Sequence, residues 1–423
     1  MRTNPAARAR LHICAMSAAL CLAAGAAAAA PLTIDDAVDL AQRDAPTLAA
    51  VAARIDAARQ AATSAGELPD PKLRAGVENY PVSGPMRFDP GSEPMSMLRI
   101  GVMQDMPNRD KRDARIAVAQ ARIDRAQAER GVAAALARRE AALAWIRRYT
   151  VERQLTQVGA LVDENRLFEA AVAAQVAGGK GSAADALMPR QEAAMIAERR
   201  DELAAQRAIA VAGLRRWIGT AATEPLAGSV PAWPVGVEAL QARLHEHPEL
   251  SAFDAMAGML DAEMREAQAM KQPDWGVEVA YQKRAPTFGD MVSVMVNIEL
   301  PLFAERRQDP QIAAKAAERR ALDAEREAAQ REHRQMLTAD LAELQRLQRA
   351  VKRYDDELLP LGQQRVELLL AGYRGGRSTL AELIAARRER AELQLKALAT
   401  EGERDAMAAR LHFTYDDSRG VPR

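Results

Sequence analysis

The chain has 423 residues, enough for two or three ordinary domains, and its 58 Lys+Arg balance its 58 Asp+Glu to a formal net charge of +0. That balance argues against a nucleic-acid partner, which needs a basic face. Aromatics are 4% while hydrophobics are 48%, and an alanine-rich, charge-rich chain of this kind suits long helices packed side by side better than a wide core of bulky residues.

Residues 1–30 have the pattern of a secretory leader. Arg2, Arg8 and Arg10 form a positive start, residues 11–22 are apolar, and an alanine run ends at Ala30. The apolar stretch is short for a membrane anchor. Both cysteines, Cys14 and Cys21, lie in this leader. Leu20 before Cys21 is bulkier than the usual lipidation motif allows. Removal of the leader leaves no cysteine, so disulfides and thiol catalysis drop out. No later run of 18 or more apolar residues offers a transmembrane helix. A β-barrel, whose signal is weaker per segment, stays open.

The mature chain reads as one unit written twice. Asp44-Ala45-Pro46-Thr47-Leu48 matches Glu246-His247-Pro248-Glu249-Leu250, and Leu68-Pro69-Asp70 matches Gln272-Pro273-Asp274. Gln104-Asp105-Met106-Pro107 matches Ile298-Glu299-Leu300-Pro301, and Gly178-Gly179-Lys180-Gly181 matches Gly375-Gly376-Arg377-Ser378. Residues 31–219 form the first repeat, 220–236 a linker, 237–415 the second repeat and 416–423 a loose tail.

In the first repeat a helix follows Thr33, a suitable N-cap, with an interruption near Pro46. Strands are predicted at 72–80 and 96–106, joined by a Pro/Gly-rich loop. A helix over 111–177 would span roughly 100 Å at about 1.5 Å per residue. Gly178 to Gly181 break it, and a second helix returns to Ile218. The second repeat has strands at 274–283 and 290–300. Asp309-Pro310 is read as N-cap and first helical residue. The long helix that follows has a kink at Pro360 and a turn over 372–376. The last helix ends near Phe413. Leu344, Leu347, Val351, Tyr354, Leu358 and Leu361 form an a/d seam, broken by Arg365 and resumed at Leu368. Val158, Leu161, Phe168 and Val172 form a shorter seam. A solvated coiled-coil stalk fits these seams as well as a cylinder of helices does.

The strands discriminate further. Val292, Val294, Val296, Ile298 and Leu300 share one face, against Met291, Ser293, Met295, Asn297 and Glu299. Leu98, Ile100 and Val102 oppose Met97, Arg99, Gly101, Met103 and Asp105, and Trp275, Val277, Val279 and Tyr281 oppose Asp274, Gly276, Glu278 and Gln282. Such alternation suits lipid outside and a wet lumen inside, or a soluble antiparallel sheet with one buried face. The leader favours the membrane. Four strands cannot close a barrel, so several chains must share one.

These features resemble the TolC-type outer membrane efflux factors, and within them the CzcC/CusC-like branch that serves heavy-metal RND efflux systems. The resemblance is carried by Leu32-Thr33 through Pro46, by Glu67-Leu68-Pro69-Asp70-Pro71 and by Gln104 to Pro107 with Lys111-Arg112. In the second repeat it is carried by Pro301-Leu302-Phe303 with Arg307-Gln308, and by Tyr373 to Gly376. It implies a mainly α fold with a small β part. Duplicated helical hairpins would form a periplasmic tunnel, and four strands per chain would enter a shared trimeric outer-membrane barrel of twelve strands. It further implies a passive exit duct in outer-membrane lipid. The duct would work with a periplasmic membrane-fusion adaptor and an inner-membrane RND pump, with no cofactor and no active site.

By the same resemblance Gly179, Lys180, Gly376 and Arg377 lie at the periplasmic tip and meet the adaptor. Glu382 matches a tunnel-mouth aspartate, and Asp185 stands at the same spacing from Gly179. Met97, Met103, Met291, Met295 and Glu299 are the expected lumen-facing strand residues. Thioethers are soft ligands for Cu(I), but Met also fills irregular space, and no metal site is assigned. His245-Glu246-His247 is read as a solvent-facing helix start. Phosphate-binding glycine loops, H-E-x-x-H and nucleophile elbows are absent from the sequence. The same fold serving drugs or other organic solutes, or type I protein secretion, is the main alternative. A soluble periplasmic coiled-coil adaptor is the remaining one. Fractionation separates these classes: the protein is expected with the outer membrane, and recovery in the soluble periplasm would identify the adaptor.

Overall fold

The computed structural model describes residues 31–179 and 181–416. The leader with Cys14 and Cys21, the tip residue Lys180 and the end of the tail lie outside the described residues. Helices α1 (Ile34–Asp44) and α2 (Pro46–Ala62) precede strands β1 (Lys72–Glu78) and β2 (Met97–Met106). Helices α3 (Arg109–Ala177) and α4 (Met188–Ile218) follow. Then come α5 (Val237–Ala242), α6 (Pro248–Ala269), β3 (Asp274–Lys283) and β4 (Met291–Glu299). Helices α7 (Ala304–Arg353), α8 (Leu359–Arg374) and α9 (Leu380–Leu411) complete the order. The chain is therefore mainly helical with one small antiparallel sheet.

Local chemistry explains the boundaries. Thr33 Oγ1 accepts the Asp36 N–H at 3.2 Å, and the Asp36 carboxylate accepts the Thr33 N–H at 3.1 Å. This reciprocal pair starts α1. Ala45 is extended at ψ 127 because a following proline disfavours the helical region. Two expectations are corrected. Helix α7 begins at Ala304, so Pro310 lies inside it rather than at its first position. Asp309 is not its cap; it pairs with Lys271 at 2.5 Å.

The second correction concerns the seam. The disturbance caused by Pro360 takes the form of a π turn over Tyr354–Leu358, since proline has no N–H to offer the Asp356 carbonyl. Leu344 and Leu347 are buried as predicted, but Leu361 and Leu368 are 60% and 74% exposed. Val366 is buried instead, with Leu369, Leu370 and Tyr373 around it, and Gly362 faces Leu393. A π turn inserts one extra residue. Each later seam position therefore moves one residue along, to Gly362, Val366 and Leu369.

Contacts divide the chain into two compact units, each drawing on both sequence halves. One comprises 31–46, 136–235 and 339–414. Its core includes Val151, Val158, Leu203 and Leu395. Trp145 is wholly buried and its indole N–H donates to the Leu32 carbonyl at 3.1 Å. The buried Arg148 guanidinium donates to the Ala222 carbonyl at 2.8 Å. Leu32 donates to Pro225 at 2.8 Å and accepts from Ala227 at 3.1 Å, so part of the linker forms a strand-like bridge. Asn165 occupies the skipped position of the shorter seam and satisfies its buried amide on the Pro189 carbonyl at 2.9 Å. Helices α3 and α9 are close at Gly402, where a Cβ would stand 2.6 Å from Thr150 Cγ2; a side chain there would force the Thr150 side chain or the helices to shift.

The other unit comprises 47–135, 236–338 and the described residues from 415. Small alanine-rich clusters hold its helices: Val51 and Ile55 with Ala126, and Val118 and Ala121 with Ala262. Its sheet has the order β1-β2-β3-β4, antiparallel throughout.

Candidate functional site

The sheet register sorts every strand residue onto one of two faces. Lys72, Met103, Glu278 and Met295 form one cross-strand row, and Gly76, Arg99, Gln282 and Met291 form another. Asp274 stands opposite Glu299, and Glu78 opposite Met97. The alternate rows are apolar: Val77 with Leu98, Leu73 with Val102 and Val279, and Trp275 with Ile298. The face assignments made from period two hold for β2, β3 and β4, and the register adds Lys72, Arg74 and Glu78 of β1 to the polar face.

Burial runs opposite to that of a soluble sheet. Leu73 is 73% exposed, Val292 and Val294 69%, and Ile298 59%. On the polar face Glu278 is 1% exposed and Gln282 7%. In water, leaving such residues uncovered forgoes roughly 1.5–3 kcal/mol for each large apolar side chain. Lipid removes that penalty. The sheet also ends in two unpaired edges, β1 and β4.

The polar face is organised around Glu278. Its carboxylate accepts from Arg99 at 2.8 Å and from Arg74 at 3.2 Å, and Arg99 also bonds Glu78 at 2.5 Å. Gly101 makes room for this arrangement: a Cβ there would meet Ala280 Cβ at 2.7 Å and Glu278 Oε1 at 3.1 Å. Lys72 bonds Asp105 at 2.6 Å and Lys111 bonds Asp274 at 2.5 Å. The polar face of the strands carries five acids (Glu78, Asp105, Asp274, Glu278, Glu299) against three bases (Lys72, Arg74, Arg99). Of the predicted lumen-facing residues, Met291, Met295 and Glu299 are exposed and Met97 and Met103 half-buried. The four methionines share the face but are not brought together. A whole strand separates Met103 from Met295, and Met97 and Met291 stand in other rows. Sequence reasoning passed over the ion pairs of Glu278, because pairing across strands depends on register.

The predicted turn residues belong to the helical unit. Gly179 has φ 72 and Gly376 φ 69, and a Cβ at either would meet nothing. Glycine is required there by backbone conformation, not by space. The Gly376 N–H donates to Tyr373 at 3.1 Å and the Arg377 N–H to Gly372 at 2.8 Å, closing α8 in a Schellman motif. The Gly179 N–H donates to Val176 at 3.0 Å at the end of α3. Gly179, Gly376 and Arg377 are all exposed.

The two predicted acids have local partners. The Glu382 carboxylate accepts the Thr379 N–H at 2.8 Å and the Thr379 hydroxyl at 2.9 Å, while Thr379 Oγ1 accepts the Glu382 N–H at 3.2 Å. These bonds hold the Glu382 carboxyl below its ordinary range. The Asp185 carboxylate accepts the Ser182 N–H at 2.7 Å, and the Ser182 hydroxyl accepts the Asp185 N–H at 3.2 Å. Both acids thus sit in capping pairs. Ser182-x-x-Asp185 and Thr379-x-x-Glu382 carry the sequence signal that would have revealed them. His245 is exposed, as read from the sequence, but His247 is half-buried against His333, with ring centroids 4.3 Å apart. That corrects its solvent-facing reading.

No protein-family model and no curated protein matches the sequence. Solved structures do resemble the fold. A membrane protein from Pseudomonas aeruginosa aligns with TM-score 0.76 and 15% identity over 90% of each chain. CusC, described as forming a transmembrane channel, aligns with TM-score 0.75 and 13% identity over 92% of this chain and 93% of its own. The outer membrane protein VceC of Vibrio cholerae aligns with TM-score 0.72 and 17% identity over 90% and 95%. The chain has the fold of these membrane proteins.

Two predictions follow from this geometry. Glu278→Ala strips Arg74 and Arg99 of a buried carboxylate; a loss of about 1–3 kcal/mol, between exposed and buried ion pairs, is expected in thermal unfolding of the detergent-extracted protein. Glu382 has a depressed carboxyl, so its capping contribution is complete above the unfolded value, 4.5, and is lost as pH falls through its lower folded value. Amide exchange at the start of α9 should accelerate over that acid range relative to other helix starts, and Glu382→Gln should abolish this pH dependence.

Proposed function

We propose that this chain is the outer-membrane exit duct of a tripartite RND efflux system, with heavy-metal cations as cargo. The observation that carries the duct reading is the inverted sheet: apolar residues exposed on one face, a charged network sheltered on the other, and two open edges. A soluble adaptor would bury the apolar face.

The edges indicate the assembly. β1 and β4 run antiparallel to each other through the alternation of the sheet. The β4 edge of one chain can therefore pair with the β1 edge of the next and satisfy every backbone group in lipid. Three copies would close twelve strands, and the lumen would be lined by the face centred on Glu278. Leu361 and Leu368, exposed on α8, would be covered by neighbouring subunits. On this reading residues 31–219 and 237–415 are two copies of one ancestral unit. The turns at Gly179–Lys180 and Gly376–Arg377 meet the periplasmic adaptor, and the pump supplies the energy.

Heavy-metal cargo is supported by the resemblance to the CzcC/CusC-like branch and by the excess of acids over bases on the polar face, which favours cations. The spread of the four methionines suits transit rather than retention, since a tight thioether site would hold its ion. The chain itself carries out no chemical step. A deletion strain tested against Cu, Ag, Zn, Co, Cd and Ni salts and a set of drugs is expected to show sensitivity to one metal group, reversed by the restored gene. Sensitivity to organic compounds alone would overturn the metal assignment and leave the duct.

A further inference from the structure

Two of the four histidines beyond residue 30 are packed together in the sheet-bearing unit. His247 stands immediately before α6, Glu249 lies in the first turn of α6, and His333 projects from α7. One ligand atom from each of the three lies within 4.8 Å of the other two. His333 Nε2 is 3.3 Å from a Glu249 carboxylate oxygen. The imidazoles face each other at 4.3 Å between centroids, tilted by 47°. Tyr415 closes one side, its ring centroid 5.8 Å from His247 and 6.3 Å from His333.

We propose that His247, Glu249 and His333 bind one divalent transition-metal ion of the zinc class, clamping the start of α6 to α7. Three observations lead there. The donor set of two imidazoles and a carboxylate is one that zinc takes, with a fourth position left for water. Thioether and thiolate are absent from the set, which disfavours Cu(I), and two nitrogens disfavour Mg2+ and Ca2+. His333 is 4% exposed with its Nε2 turned to the Glu249 carboxylate, so one ligand of the set is held in place by burial.

The geometry is close to that of a loaded site. Ligand atoms about 2.0–2.2 Å from a tetrahedral zinc stand roughly 3.3–3.6 Å from one another. The His333–Glu249 distance of 3.3 Å already meets this. The remaining approach requires movements of about an ångström from Glu249, whose side chain is 59% exposed, and from the half-buried His247. His247 Nδ1 accepts the Glu249 N–H at 3.3 Å. Ligation through either nitrogen of that ring gives up this bond, which is long and therefore weak. The side chain of Glu249 also gives an ion a route in from solvent. This site does not depend on the duct's cargo being a metal.

The test uses the full mature chain in detergent, free of any affinity tag and stripped with a chelator. It is titrated with Zn2+ against a chromophoric competitor, with thermal unfolding in parallel. One zinc per chain and a raised Tm are expected. His247→Asn keeps an acceptor for the Glu249 N–H, and Glu249→Gln keeps a hydrogen-bond partner for His333. Each should leave the metal-free Tm within a few degrees of the parent and weaken zinc by roughly 100-fold or more, since even outer-sphere changes cost about 10–100-fold. Less than one zinc per chain in the parent, or parent-like zinc affinity in both variants, would overturn the proposal. Should His247→Asn fail to fold, Glu249→Gln at its exposed position decides alone.

Discussion

Backbone N–H and C=O groups cannot be left unpaired in hydrocarbon, and most of what is particular to this chain depends on that constraint. Its sheet leaves apolar side chains exposed on one face, which suits lipid, and its four strands end in two edges. In hydrocarbon such edges would have to be paired, as with the edges of further copies. On the duct reading proposed above, oligomerisation is a condition of the sheet's own stability rather than an addition to it. The odd–even alternation that puts Val292 and Val294 on one face puts Ser293 and Met295 on the other, so the apolar face and the polar face are set by one pattern.

The sheltered face needs its own solution. A carboxylate as buried as Glu278 would be costly alone. Two guanidiniums converge on it, and Gly101 leaves the space they need. The network ties β1, β2 and β3 together through side chains as well as backbone.

In the helical unit the governing constraint is helix termination. Long helices must stop and reverse, and each reversal leaves carbonyls and N–H groups to satisfy. Gly179 and Gly376 close the outgoing helices in left-handed conformation, and the Ser182–Asp185 and Thr379–Glu382 pairs open the returning segments. The carboxylates that resemblance assigns to a tunnel mouth are thus the same ones that hold the turns. A substitution there alters the turn's geometry as well as its charge, and the two effects have to be separated by conservative changes.

Local pattern was sufficient for much of this protein. Period-two alternation sorted the faces of β2, β3 and β4, and proline and glycine marked the interruption at Pro46 and both turns. The cap at Thr33 followed from its own short segment. These features depend on residues within a few positions of one another, which is why one sequence suffices to read them. Whatever depended on distant partners was decided by tertiary structure. The π turn before Pro360 moved the seam from Leu361 and Leu368 to Gly362, Val366 and Leu369, because one inserted residue rotates everything after it. The ion pairs of Glu278 required the strand register, and the burial of Asn165 required the Pro189 carbonyl to reach it. His247 and His333 lie far apart in sequence and neither carries a local signal; only the packing of α6 against α7 makes them neighbours.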